Sequence, residues 1–389
     1  MKEKIIRITF CSLFILIISV MGILTIINDD KVSKREGRKL AQFPEVTIKG
    51  LLGTDYYTNL TNAFSDQMAF RNQFITIYYL ANLQRYTGDV VKADNDELFL
   101  APQSFSNKEK TLENIAKVTT NHINKVAKEV TGAGSKFMFI SIPRKDVMME
   151  KYLPSSYIAG TDMYIKSINT IKENADQNVV VLDAYELLKG KVDRPFYKTD
   201  HHMNIRGAYV VFENIIGYVN DTSKSNIKIG KLEEEYEIKK QIVNGAFNRK
   251  IGQSVKADAE ELNLRYIGGN VTYTRYEDGK ISDIPVFGDK NTYASAYMGD
   301  DMAETVIDTN NDDAPNILFV GSSYTNILEA LSVHKFNKMV SIDYRHNNTG
   351  KSIADYVKEY DIDYTVYICS QSTGAFNIGS MKEHLGVKD

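Results

Sequence analysis

Asp200-His201-His202 places two of the chain's six histidines directly after an aspartate. Three chemistries fit these residue types. An aspartate and two imidazoles can ligate zinc or iron. A carboxylate can also hold one imidazole in a fixed tautomer while its other nitrogen takes a proton from a hydroxyl, as in a Ser-His-Asp triad. The third option is a polar turn before a helix. In extended backbone, residues i and i+2 share a side. That pairs Asp200 with His202 and turns His201 away. Three consecutive side chains do not converge on one ion in regular backbone, so a metal site would need a further ligand such as His346. No H-x-E-x-H-like pattern supplies one, and no metal is expected. Asn204 reads as the cap of a helix that begins just after it.

A triad needs a hydroxyl from elsewhere. "GSSYTN", residues 321–326, follows the apolar run "NILFV". A small-residue turn from strand to helix puts Ser322 or Ser323 at the edge of a sheet. The following helix start supplies unpaired N–H groups and positive potential, which suit an oxyanion. A serine there is also a common helix cap.

These segments sit in a pattern that explains how they would meet. Apolar runs at 137–143, 178–184, 316–321, 339–343 and 364–370 alternate with helical patterns at 163–174, 204–219, 326–336 and 352–360. Strands apolar on both faces, alternating with helices, indicate a parallel sheet covered on both sides, a three-layer α/β domain. Ligands of such sheets bind beyond the carboxyl ends of the strands. Residues 220–312 are rich in Asn, Asp, Lys and Tyr and lack this alternation. They read as a partly β excursion from the sheet. Upstream, helices are expected over 56–88 and 108–130, with a short strand at "DELFLAPQ".

Residues 8–27 carry no charge and are long enough to span a bilayer core. The run ends in "NDDK" without a small-residue exit site, so an uncleaved anchor over 1–28 is expected, then a charged linker over 29–54. Lysines and arginines flank the run on both sides, and long domains translocate largely regardless of such charges. Residues 55–389 form the main domain.

Composition removes other classes. The chain has 389 residues, 43% of them hydrophobic, and a net charge of −3, which gives no basic surface for nucleic acid. Cys11 and Cys369 are the only cysteines, too few for a disulfide framework or a thiolate zinc cluster. They read as buried, inert thiols. Twenty-four tyrosines and no tryptophan suit a sugar-binding cleft, and equally a half-buried core.

"FYKTDHHMNIRGAY", "GSSYTNIL", "SIDYRHN" and the terminal "DYTVYIC" together resemble the bacterial DHHW protein family. That family is similar to the alginate O-acetyltransferase-like proteins of the SGNH hydrolase superfamily. "FSDQMAFRNQ" and "DELFL" resemble the entry to the same domain, so the similarity covers most of 55–375. The resemblance implies an SGNH-like fold with the Asp/His block before the Ser block, a circularly permuted motif order. It implies Ser323 as nucleophile, His202 as base and Asp200 as the orienting carboxylate. Arg345 matches a recurring arginine and is an expected substrate or acyl contact, with an ion pair as the alternative. Arg144 and Lys145, past the strand ending "SIP", lie at the same edge. Tyr324 and His201 are further expected substrate contacts. Two positions depart from the pattern: Met203 stands where the family name has Trp, and Ser322 where many relatives have Asp. No oxyanion asparagine stands out, and Asn326 and Asn347 are the candidates.

The activity implied is O-acetylation of a cell-envelope or secreted polysaccharide by a membrane-anchored, extracytoplasmic domain, without a cofactor. Because acetyl-CoA is not at hand outside the cell, a membrane-bound O-acyltransferase is the expected acetyl source. An esterase with the same triad, or a non-catalytic glycan-binding scaffold, would fit the same residues.

Overall fold

Helix α1 (Lys2–Ile27) opens the computed structural model, which describes residues 2–33, 35, 38–51, 53–82, 90–101, 109–223, 225–299, 302–347 and 349–370. The chain divides into two compact units, Met1–Val91 with Ala246–Lys256, and Lys92–Gly245 with Ala257–Asp389. In the first unit α1 is long and apolar enough to cross a membrane. Cys11, expected to be buried, is exposed on it. The helix expected over 56–88 is two helices, α2 (Thr54–Gln67) and α3 (Arg71–Asn82). The break has a tertiary cause. At the corner, Ala69 N–H donates to Thr25 Oγ1 at 3.0 Å, and Gln67 Nε2 donates to the carbonyls of Asp30 and Ala41. Phe70 turns the corner in the left-handed region, at φ 59°. Residues 83–88 of that expected helix, 102–103 of the expected strand and 371–389 of the expected domain lie outside the described residues.

The second unit follows the alternation read from sequence. Its elements are α4 (Glu109–Gly132), β1 (Lys136–Ile142), α5 (Thr161–Asn174), β2 (Val179–Asp183) and α6 (Ile205–Thr222). Then come β3 (Tyr236–Ile242), β4 (Ala259–Tyr266), β5 (Thr274–Glu277), β6 (Lys280–Ile281), α7 (Tyr293–Ala296) and β7 (Glu304–Asp308). The chain closes with β8 (Ile317–Gly321), α8 (Asn326–Ser332), β9 (Lys338–Asp343), α9 (Ile353–Glu359) and β10 (Tyr364–Ser370).

The central sheet has the order β6-β5-β7-β9-β8-β10-β1-β2. The five strands from β9 to β2 are parallel. Side chains alternate across it with period 2. Met138, Ile140, Ile317, Phe319, Val366 and Ile368 pack with α6 and α8 on one face. Phe137, Phe139, Leu318, Val320, Tyr367 and Cys369 pack with α4, α5 and α9 on the other. That is the three-layer arrangement expected from apolar runs on both faces.

Residues 220–312 do not all leave the sheet, which corrects the reading of that region. Among the described residues β3 and β4 pair only with each other, but β5, β6 and β7 extend the sheet, with β7 antiparallel to β9 from Glu304↔Ile342 to Asp308↔Lys338. Without β7, strand β9 would be an edge with a row of open backbone groups.

Candidate active site

The parallel register sets one edge of the sheet. Gly321 at the end of β8 pairs beside Asp343 at the end of β9, so the loops beginning at residues 322 and 344 leave side by side. The turn after β8 is tight. A Cβ on Gly321 would meet Thr325 Cγ2 at 2.4 Å, so glycine is needed where the chain folds back toward α8. Ser322 and Ser323 then separate. Ser322 is buried and shares a hydrogen bond with the Tyr344 side chain. Ser323 is half-buried and its Oγ lies 2.9 Å from His202 Nε2.

His202 and Asp200 come from the turn before α6. Asn204 caps that helix, accepting from Gly207 N–H at 3.0 Å and donating to the Arg194 and Phe196 carbonyls. A Cβ on Gly207 would fall 2.5 Å from the Pro195 carbonyl oxygen. The glycine of "NIRGAY" therefore lets α6 start against the incoming chain. Met203 is fully buried and bridges Phe196, as part of the apolar core. It offers no stacking platform for a sugar.

The Asp200 segment is a turn, not a strand. Asp200 Oδ1 accepts the backbone N–H of His201 at 2.7 Å and of His202 at 3.1 Å, and lies 2.7 Å from His202 Nδ1. This pairs Asp200 with His202 for a reason other than strand alternation. The turn also brings His201 back: its Nδ1 is 3.3 Å from the same oxygen, and its ring lies 3.9 Å from that of His202. The expectation that His201 turns away is corrected. Nor does adjacency keep the three side chains apart. One donor atom each from Asp200, His201 and His202 lie within 4.8 Å of one another.

Asp200 and His202 are buried, so their contact is little screened by water. Asp200 accepting at Nδ1–H leaves Nε2 with a lone pair facing Ser323, the tautomer that can take a hydroxyl proton.

Several supports were invisible in the sequence. Tyr293, from α7 in the region read as an excursion, stacks on the His202 ring at 3.8 Å and 2° between planes. Its hydroxyl oxygen accepts Ile327 N–H in the first turn of α8, so one residue braces both the histidine and the helix after Ser323. Lys145 is buried. Its Nζ donates to the Tyr197 carbonyl at 2.6 Å and the Lys198 carbonyl at 2.8 Å, and pairs with Glu97 at 2.6 Å. Burial lowers its pKa, against the raising charge of Glu97. Glu260 accepts Lys198 N–H at 2.9 Å, and burial pushes its carboxyl up to about 7. Residues 197 and 198 lead directly into Asp200. The only advance signal was the position of Lys145 past the end of β1.

Of the other expected contacts, Tyr324 is at the site. Its ring lies 5.1 Å from that of His202 and its hydroxyl donates to the His201 carbonyl at 3.2 Å. Burial, reinforced by the charge of Asp200, raises its pKa and keeps it protonated. Arg144 forks onto Asp146 at 2.7 and 3.0 Å, and both charges act on Tyr324. Arg345 is held by Asp343, Nε to Oδ1 at 3.0 Å, the ion-pair alternative named above. Asn347 is fully buried and ties Thr349 to Tyr356. Asn326 is buried at the start of α8.

The family model described as "SGNH hydrolase-like domain, acetyltransferase AlgX" matches residues 90–341, more than half of the chain. The chain belongs to this family. No curated protein matches it in sequence. Among solved structures, Bacillus cereus PatB1 with a sulfonyl adduct is 20% identical over 76% of this chain and 98% of its own, with a TM-score of 0.59. Bacillus cereus PatB1 in a second structure is 19% identical over 74% and 99%, at 0.55. A DHHW family protein from Eubacterium siraeum is 20% identical over 77% and 96%, at 0.54. These likenesses agree with the fold. The AlgX-type domain is thus an SGNH hydrolase-like acetyltransferase domain, and its matched span contains Asp200, His202 and Ser323.

Proposed function

We propose that the chain is a membrane-anchored, extracytoplasmic O-acetyltransferase acting on a cell-envelope or secreted polysaccharide, with Ser323 as nucleophile, His202 as base and Asp200 as the residue that fixes the base. One observation carries this reading: the continuous relay from Ser323 Oγ through the His202 ring to Asp200 Oδ1, with steps of 2.9 and 2.7 Å. Both steps are within the reach that proton transfer needs.

In the first half-reaction, His202 Nε2 takes the Ser323 proton as Oγ attacks the carbonyl carbon of an acetyl donor. The tetrahedral intermediate collapses as the donor's leaving oxygen or sulfur takes the proton from His202. Acetyl-Ser323 remains. In the second, a sugar hydroxyl gives its proton to His202 and attacks the acetyl-enzyme, and Ser323 leaves with that proton. Asp200 keeps the ring oriented and balances the imidazolium that forms each time. Tyr293 beneath the ring and Tyr324 beside it restrict its motion.

An extracytoplasmic site needs acetyl groups moved across the membrane, and a membrane-bound O-acyltransferase would supply them. Helix α1 supports attachment to that membrane by its length and composition. The test uses the full chain in detergent, an activated acetyl ester and oligosaccharide acceptors. Acetylated oligosaccharide, formed by the parent protein and lost in Ser323→Ala, is the expected product. Ser323-dependent release of acetate with no acetylated sugar would make the protein an esterase. No Ser323-dependent turnover with any ester would leave the binding scaffold.

A further inference from the structure

Helix α3 exposes an apolar stripe that a helix facing water would bury. Its less exposed side holds Arg71, Ile75, Thr76 and Tyr79, with polar contacts at Thr76. Thr76 Oγ1 accepts from Arg35 Nη2 at 2.6 Å and contacts the Gly252 carbonyl, while Arg35 Nη1 donates to the Asn72 carbonyl at 2.8 Å. Its outward side is apolar. Phe74, Ile77 and Tyr78 recur at i, i+3 and i+4, the spacing that normally marks a core-facing stripe, yet they are 44%, 63% and 52% exposed. Leu80 beside them is 57% exposed, and Phe70 at the preceding corner 56%. Phe64 on α2 and Met68 just after it are also exposed. Residues 72–82 carry no charge. A contiguous apolar surface of this kind marks an interaction site.

The corner between α2 and α3 is fastened to one particular place. Ala69 N–H donates to Thr25 Oγ1, and Asn28 Nδ2 donates to the Gln67 carbonyl. Thr25 lies two residues before the end of α1 at Ile27. The uncharged run 8–27 spans about 30 Å as a helix, the thickness of a bilayer's hydrocarbon core. Its end, and the corner tied to it, therefore fall at the boundary between acyl chains and headgroups. Exposed Phe, Ile and Leu suit the acyl side of that boundary, and Tyr78 suits the boundary itself.

We propose that α3 is an interfacial helix that lays Phe70, Phe74, Ile77 and Leu80 into the lipid surface beside α1, making attachment a two-element contact. This rests on the reading of α1 as a retained membrane span. The exposed stripe and the tether at Thr25 carry it.

The chain has no tryptophan, so single tryptophans report without background. Full-length Ile77→Trp, Phe74→Trp, Val20→Trp and Ile281→Trp are placed in nanodiscs of phosphatidylcholine, with and without bromine on the acyl chains. Position 20 lies in α1, and Ile281 is 73% exposed in the second unit. The expected result is blue-shifted emission at 74 and 77 that bromolipid quenches, quenching at 20, and neither effect at 281. Quenching at 20 with unshifted, unquenched emission at 74 and 77 would overturn the proposal and leave the anchor standing. Blue-shifted but unquenched emission at 77 would also overturn it, because the face would then be covered by protein. No quenching at 20 would remove the anchor reading and the proposal together.

Discussion

Two helices of similar pattern end up in opposite surroundings. In the α/β unit, α6 repeats apolar residues at helical spacing, and Ile205, Ala208, Val211, Phe212, Ile215, Ile216 and Val219 are all buried. In the N-terminal unit, α3 repeats Phe74, Ile77 and Tyr78 at the same spacing and exposes them. The first stripe meets a sheet whose strands are apolar on both faces. The second lies opposite an inward side already occupied by the hydrogen bonds of Arg35 and Thr76. Periodicity therefore reports that a helix forms. What lies against it depends on which other surface in the same unit is apolar. The proposed roles divide accordingly: acyl chemistry in the α/β unit, lipid contact in the N-terminal unit.

The largest effect that would test this division is at Ser323, the proposed nucleophile. Ser323→Ala should lower acetyl-ester turnover by at least about 10⁴-fold, with membrane association measured by flotation unchanged. Asp200→Asn should cost roughly 10³–10⁴-fold, because the amide stabilises the wrong imidazole tautomer. Its loss should persist at every pH tested. Ile77→Ser is the reciprocal change: weaker bromolipid quenching of a Phe74→Trp reporter, with flotation through α1 and ester turnover kept.

Stability effects come next. Lys145→Met leaves Glu97 buried without its nearest ammonium and frees the Tyr197 and Lys198 carbonyls. Glu97 keeps Arg194 Nη1 at 2.7 Å, so the cost should fall below the roughly 3–5 kcal/mol of a buried charge left with no partner, to be read as a lowered Tm. Glu260 gives a pH signature. Its folded carboxyl titrates at about 7, above the 4.5 of an unperturbed glutamate. Its stabilising contribution is therefore fully present below pH 4.5 and is lost as pH rises through 7. Wild-type Tm should fall between pH 5 and 8 relative to Glu260→Gln, which should stay flatter; parallel curves would contradict this. The smallest effect is expected at Tyr293. A ring stack is worth about 0.5–1.5 kcal/mol, so Tyr293→Leu should slow turnover by no more than about tenfold.

The sheet could be read from sequence because each parallel strand is an apolar run of five to seven residues between helical patterns. β7 could not, because Glu304–Asp308 holds only Val306 and Ile307 as apolar residues between two acids. Asp200, His202 and Ser323 stand out as residue types at a sheet edge and in motifs. The backbone argument for pairing Asp200 with His202 was different in fact: a turn held by the aspartate's own side chain also gathers His201. Glu97, Glu260 and Tyr293, and the contacts of Lys145 though not its place at the edge, were hidden for one physical reason. They act on the Asp200 turn and His202 through backbone carbonyls, N–H groups and a ring face, from positions far apart in the chain. Such contacts leave no local pattern.

The central claim is a covalent acetyl group on Ser323. The direct measurement is peptide mass spectrometry of the full-length protein, quenched in acid within its first turnovers of an activated acetyl ester. The account predicts one added acetyl group on the peptide containing Ser323, absent in Ser323→Ala and slow to form in His202→Ala. An unmodified Ser323 peptide alongside full turnover, or undiminished turnover in Ser323→Ala, would contradict it.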